Sequence, residues 1–548
     1  MYNGKLCDSF FPTFNAKQTI TNAMKKTNVI IAFILGCTLL VSSCNKKKDG
    51  DVTDGTEVHD HDEATIPLDT TKIASFFQKH PDFKQFEKDV RTLYSKHTHY
   101  VWQDKGGLIE FADVVHNKVN QLDNEGLEVK VPYKDELNQV FDDPKSKPDT
   151  DSELLISSMY FFYAKKVLEG LDPSKSKQTG WYLPRDRVDY VAYLDTLMKD
   201  PKLIKRDESE LFSQYYNLRK GLQKYREIEK KGGWGTIALS EGVKSLKEGD
   251  SAAAIVQIRK RLMLEGYLKS DSGKSVFDGD LNEGLKAYEA KHNREFDGKI
   301  GPSIIAEMNM PVAQLIKAIS INMERCRWIS PKMDKAPEVI AVNIPSYRLV
   351  YFKSGKPVFT SKVVVGKELN KTVVFSGQMS YLNFAPYWNI PTSILNKEIK
   401  PGIAKDPNYL AKHNMEWNGN MVRQKPGGQN SLGKVKFMFP NTNNIYLHDT
   451  PAKSLFNKDE RAFSHGCVRV EKARDLAIMI TKQDGNWNAA KVDKAMNAGK
   501  ESTYVLKKKI PVYIAYFTAW ADENGNVAFF EDIYKRDDRL SGLLYAAK

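Results

Sequence analysis

The spacing of apolar residues changes once along this chain, near Pro337, and that change limits the folds open to it. Upstream, segments such as "SSMYFFYAKKVLEGL" and "ESELFSQYYNLRKGLQKYREIEKK" repeat apolar residues at mixed intervals of three and four, which predicts helices. Downstream, "EVIAVNIPSYRLVYFKSGKPVFTSKVVVG" alternates in strand fashion between Pro-Ser and Ser-Gly turns. A chain of 548 residues is too long for one core. Helices first and strands second therefore predict an α+β multidomain protein.

The boundaries follow from composition. Residues 71–245 are expected to form a helical scaffold, with Tyr160, Phe161, Phe162 and Tyr163 in its core. Residues 246–311 contain two amphipathic stretches, one carrying Ile255, Ile258 and Leu262, the other Leu281, Leu285 and Tyr288. "FDG" turns at Phe277 and Phe296 punctuate them, so a small three-helix bundle is expected. Residues 312–335 read as a connecting helix holding Cys326, a buried inert thiol beside Trp328. The β-rich domain is placed at 336–485, and 486–548 is expected to complete it.

The N-terminal segment bears on compartment. Met24 starts a stretch with basic Lys25 and Lys26, an apolar run from Val29 to Val41, and then Ser42, Ser43 and Cys44. The run is too short to span a bilayer comfortably and fits a secretory signal over 24–44. Val41-Ser42-Ser43-Cys44 resembles the lipobox of bacterial lipoproteins, which implies a lipid on Cys44, a membrane anchor and a periplasmic location in a Gram-negative bacterium. Residues 45–70 are polar and charged, as expected of a tether. His59, Asp60, His61 and Asp62 within it lack a scaffold that would fix metal geometry. Of five cysteines only Cys326 and Cys467 then remain in the body, with no CxxC, so neither a disulfide framework nor a structural zinc site is expected. The formal charge of +13 suits an anionic partner, but export and the lack of a motif argue against nucleic acid.

The chemistry gathers in "NNIYLHDT" and "AFSHGCVRV". Read as strands, the first turns Ile445 and Leu447 to one face and Tyr446 and His448 to the other. In the second, Val468 and Val470 face the core, while His465, Cys467 and Arg469 face the opposite side. A thiol near histidine and cationic groups suits nucleophilic acyl transfer. Gly466 would admit a substrate carbonyl close to backbone N–H groups able to stabilise an oxyanion, and Arg469 fits a carboxylate clamp. Ala473, Leu476, Ala477 and Ile480 have the spacing of a helix packed behind.

His448 followed after a spacer by Ser464-His465-Gly466-Cys467-Val468-Arg469 resembles the signature of the L,D-transpeptidase (YkuD) catalytic domain. The bundle resembles a peptidoglycan-binding domain. The whole order is similar to the large murein L,D-transpeptidases of the YcbB type, to which "FAPYWNIPTSI" and "RQKPGGQNSLGKVKFMFPN" also correspond. The resemblance implies Cys467 as nucleophile, His448 as proton donor and acceptor, and the Asp449 backbone carbonyl as its orienter. It implies an oxyanion region at His465 and Gly466, substrate contacts at Arg469, Tyr446, Trp388 and Ser464, and a capping subdomain over about 393–432. The implied reaction takes peptidoglycan tetrapeptide stems with diaminopimelate at the third position, releases D-Ala and makes 3-3 crosslinks without metal or organic cofactor. Carbapenems are implied inhibitors. The alternatives are an L,D-carboxypeptidase or endopeptidase using the same residues, and a non-enzymatic peptidoglycan-binding lipoprotein.

Overall fold

The computed structural model describes residues 65–143, 147–199, 210–292 and 294–545. The signal and lipobox segment with Cys44, and the tether positions His59, Asp60, His61 and Asp62, lie outside the described residues. The expected α+β layout is present: helices dominate to Arg327, and strands dominate from Glu338.

Helix Thr150–Ala164 is apolar nearly all round and is buried along almost its whole length, so it forms the centre of the scaffold rather than a surface element. Asp149 starts it, its side chain accepting from Ser152 N at 2.9 Å. The bundle has its own core, in which Ile255, Ile258, Leu262, Leu281, Leu285 and Tyr288 meet. Its helices are Ala253–Glu265, Gly279–Lys291 and Pro302–Met308. Glu295 in the loop after the second helix pairs with Lys362 of the β-rich domain.

Helix Val312–Arg327 stands where the connecting helix is expected, ends at Arg327 rather than 335, and is also part of the core. It is buried on several faces and packs along helix Ser213–Lys230. Its buried charged residues, Glu324, Arg325 and Arg327, are paired within the protein. Arg327 meets Glu324 at 3.1 Å and donates to the carbonyls of Val167 and Glu125, and Arg325 meets Asp537 at 2.6 Å. Glu324 also accepts from Leu171 N at 2.6 Å and Trp328 Nε1 at 2.9 Å. Apolar spacing alone could not show this, because charged side chains paired inside a protein look like surface residues in sequence.

The β-rich domain contains β1 (Glu338–Asn343), β2 (Arg348–Lys353), β3 (Lys356–Gly366), β4 (Phe375–Phe384) and β5 (Val435–Met438). It continues with β6 (Leu447–His448), β7 (Ala462–Ser464), β8 (Val468–Val470) and β9 (Ser502–Ala515). Pairing runs β1–β2–β3–β8–β6–β5–β4–β9 and returns from β9 to β1, which closes the sheet, while β7 lies outside along β3. Closure leaves no long unpaired edge. Inward residues include Val342, Leu349, Val363, Leu382, Phe437 and Val512. Helix Ala473–Gly485 packs Leu476, Ala477 and Ile480 into this core.

The final segment does two jobs where one was expected. β9 completes the sheet between β1 and β4, and the chain then turns back to the scaffold. There the hairpin Ala519–Ala521/Val527–Phe529 sits against Gly221, where a Cβ would come within 2.5 Å of Val527 Cγ2. Only glycine allows that approach.

Candidate active site

Three adjacent strands bring the polar residues together. In β5, Val435 and Phe437 enter the core, so Lys436 faces outward; it pairs in register with His448 of β6, which pairs with Arg469 of β8. Residues paired across a sheet share a face. Lys436, His448 and Arg469 thus form one row. Tyr446 and Cys467, two residues before His448 and Arg469, stand beside that row. β6 and β8 are parallel, and Val468 N donates to the Tyr446 carbonyl at 3.1 Å. The Tyr446 and His448 rings are 5.7 Å apart.

The stretch expected to be one strand is two strands joined by a turn at His465, Gly466 and Cys467. Gly466 has φ +117°, a conformation side-chain-bearing residues rarely adopt, and this breaks the alternation. Ser464 closes the turn: its hydroxyl donates to the Cys467 carbonyl at 2.5 Å and accepts from Gly466 N at 3.1 Å. From outside, Thr372 Oγ1 donates to the Gly466 carbonyl at 2.9 Å, and Thr372 N donates to the Tyr534 hydroxyl at 3.1 Å. Cys467 therefore projects from a braced turn rather than from a strand. Its sulfur is 3.7 Å from the Asn444 carbonyl.

His448 is buried, and its Nδ1 is 2.6 Å from the Asp449 carbonyl. A carbonyl can only accept, so Nδ1 carries the proton and Nε2 is left with a lone pair. Burial first, and the Arg469 charge second, push the imidazole down to about 3, so the ring is neutral at neutral pH. Burial also raises the Cys467 thiol, against the opposing pull of the Tyr446 backbone and hydroxyl and of Lys436 and Arg469. The resting pair is thus a neutral thiol and a neutral imidazole, not the preformed thiolate that cationic neighbours alone would suggest.

The expected residues do not all meet at one place. Tyr446, His448, Cys467 and Arg469 are brought together, with the Asp449 carbonyl on His448 as expected. The Asp449 carboxylate points elsewhere, to Lys434 N at 2.9 Å and Lys453 Nζ at 2.7 Å. Ser464 is buried and spends its hydroxyl on the turn, which differs from a substrate contact. The His465 side chain meets Glu398 at 3.3 Å, and the Gly466 N–H is taken by Ser464, so that N–H is not free for the expected oxyanion role. Trp388 belongs to a separate small core with Ile390, Ile394, Leu395 and Val422. Its strand, Trp388–Asn389, pairs with Met421–Gln424, so the small unit that holds residues 393–432 starts before the expected 393. Sequence reasoning does not find Lys436, Asn444, Thr372 or Tyr534. Only Lys436 leaves a signal, as the polar residue between Val435 and Phe437.

The closed sheet thus carries a cysteine on a glycine turn beside a neutral histidine, an arrangement whose residue types suit nucleophilic acyl transfer. Residues 337–512 match the YkuD family, the L,D-transpeptidase catalytic domain, and residues 88–222 match a scaffold domain. The chain therefore carries a YkuD L,D-transpeptidase catalytic domain behind an N-terminal scaffold domain. A putative L,D-transpeptidase of Haemophilus influenzae is 33% identical over 249 residues, 42% of this chain and 50% of that protein. The match thus spans about half the length of the curated relative. An L,D-transpeptidase from Mycobacterium smegmatis is similar at 12% identity over 33% of this chain and 58% of that chain, with a TM-score of 0.19. One from Xylanimonas cellulosilytica is similar at 9% identity over 50% of this chain and 100% of that chain, with a TM-score of 0.16.

Proposed function

We propose that this protein is a cell-wall L,D-transpeptidase of the large YcbB type that forms 3-3 peptidoglycan crosslinks through a Cys467 thioester. The observation that carries this reading is the convergence of Cys467, Tyr446 and Arg469 around a His448 whose Nε2 lone pair is unprotonated.

With both partners neutral at rest, the Cys467 proton passes to His448 Nε2 as sulfur attacks the carbonyl of the third stem residue. The Gly466 and Val468 N–H groups already have acceptors, so the Cys467 N–H, with that of His465, is the turn donor proposed for the oxyanion. The imidazolium then gives its proton to the leaving nitrogen, and D-Ala departs. An amine from a second stem attacks the thioester, loses its proton to His448 and releases the thiol. The capping subdomain excludes water in this scheme, because hydrolysis would give a carboxypeptidase. The bundle binds peptidoglycan, carbapenems acylate Cys467, and a lipid on Cys44 anchors the protein in the periplasm; this last part rests on sequence alone.

Incubation of the protein with purified tetrapeptide muropeptides, followed by mass spectrometry, tests the reading. Crosslinked dimers are expected. Tripeptide without dimer would replace transpeptidation by L,D-carboxypeptidation, and unchanged muropeptides would remove the enzyme assignment.

A further inference from the structure

Several buried arginines elsewhere in the molecule have anionic partners, although Arg461 has only the Lys458 carbonyl. Arg327 has Glu324, Arg325 has Asp537 and Arg261 has Glu265. The row through His448 is different. Lys436 is half-buried, its ammonium 5.1 Å from the centre of the Tyr446 ring, and it has no hydrogen bond or ion pair among the described residues. Glu501, the carboxylate whose field it feels, accepts from Asn383 Nδ2 at 2.9 Å instead. On the other side of His448, Arg469 has no ion pair among the described residues, and its Nε is buried without an acceptor.

Two like charges held out of water on either side of a neutral ring are unfavourable in the free protein. An anion at each would relieve that. We propose that Lys436 is a substrate-binding residue that takes a carboxylate across His448 from Arg469, so that the site selects a peptide carrying two carboxylates about its scissile amide. This rests on the acyl-transfer reading of the site. In a stem peptide one carboxylate belongs to the departing residue, two bonds from the nitrogen that His448 protonates. The other belongs to the side chain of the third residue. Peptides lacking either charge are then poorer donors.

The charge selection can be read without turnover. Iodoacetate and iodoacetamide alkylate the same thiolate, each expelling iodide, and differ in one negative charge. Their rates at Cys467 are followed by peptide mass mapping, and the iodoacetate-to-iodoacetamide ratio is normalised to glutathione. The wild type is expected to exceed glutathione. Lys436→Met is expected to lower the ratio by about tenfold, the scale of one charge-assisted contact, and Lys436→Arg to keep it. If Lys436→Met slows both reagents equally, or neither, the proposal is overturned. A second arm compares tetrapeptides amidated at the third-residue side chain or at the terminal carboxylate. Lys436→Met is expected to raise KM for the free diacid, and to leave KM unchanged for the one amide whose missing carboxylate Lys436 would have held. A uniform KM change across all three peptides counts against it. If no muropeptide turns over, the transpeptidase reading fails, while the alkylation ratio still decides the anion site.

Discussion

The two cysteines of the folded body sit in opposite kinds of surroundings. Cys326 is fully buried on helix Val312–Arg327, whose buried ionic groups are paired and hydrogen-bonded. Cys467 is half-buried on a glycine turn, beside cations that form no ion pair among the described residues. Burial raises both thiols, so a raised thiol does not tell them apart. What differs is the state of the neighbours. Where polar groups are saturated, the thiol is part of the packing; where they are left open, it faces something that has still to arrive.

The largest test of this contrast exchanges the thiols one at a time. Cys467→Ala is expected to lower crosslinking by at least about 1000-fold, while Cys326→Ala keeps activity and costs roughly 1–2 kcal/mol of stability. Muropeptide turnover and urea unfolding measure the two effects, and similar activity losses in both variants would erase the distinction. Next, Glu324→Leu strips Arg327, Leu171 N and Trp328 Nε1 of their acceptor, and an unfolding loss of about 3–5 kcal/mol is expected.

A smaller effect comes from pH. His448 stays neutral in the fold down to about 3, whereas a histidine in the unfolded chain titrates near 6.5. Between those values the unfolded chain binds the extra proton, so this contribution to stability is complete above 6.5 and declines as pH falls toward 3. Stability against unfolding should be lower at pH 4.5 than at pH 7 by roughly 2 kcal/mol from this group, and His448→Gln should flatten the trend. Gly466→Ala meets no close atom, only Asn370 O at 3.8 Å, so its cost is backbone strain of about 1–2 kcal/mol, visible in unfolding and in slower turnover. The smallest change is expected from Glu398→Gln at the exposed His465 pair, below about 1 kcal/mol by thermal unfolding.

Local pattern makes part of this legible in the sequence. Alternation places Tyr446 and His448 opposite Leu447, and helical spacing places Leu476, Ala477 and Ile480 against the sheet. It fails on "AFSHGCVRV" because period-2 reasoning assumes continuous extension, and a single glycine at positive φ ends it. Sheet closure is invisible to it, since β9 meets β1 across more than a hundred residues. For the same reason Thr372 and Tyr534 carry no local signal, although they brace the Gly466 carbonyl. Lys436 can be placed on a polar face, but only the register between β5 and β6 puts it beside His448. The buried helix Val312–Arg327 reads as a connector because charges paired inside a protein have the same pattern as charges facing solvent.

β9 also sets an order of assembly. A chain emerging N-terminus first contains His448, Cys467 and Arg469 well before Ser502–Ala515 exists to fill the gap between β1 and β4. Tyr534, which accepts from Thr372 and so backs the cysteine turn, comes later still. During synthesis the thiol is therefore present in a sheet that cannot yet close. A ribosome-stalled fragment ending before Ser502 should hold Cys467 without the finished site, so that assembly waits for Ser502–Ala515 to be made.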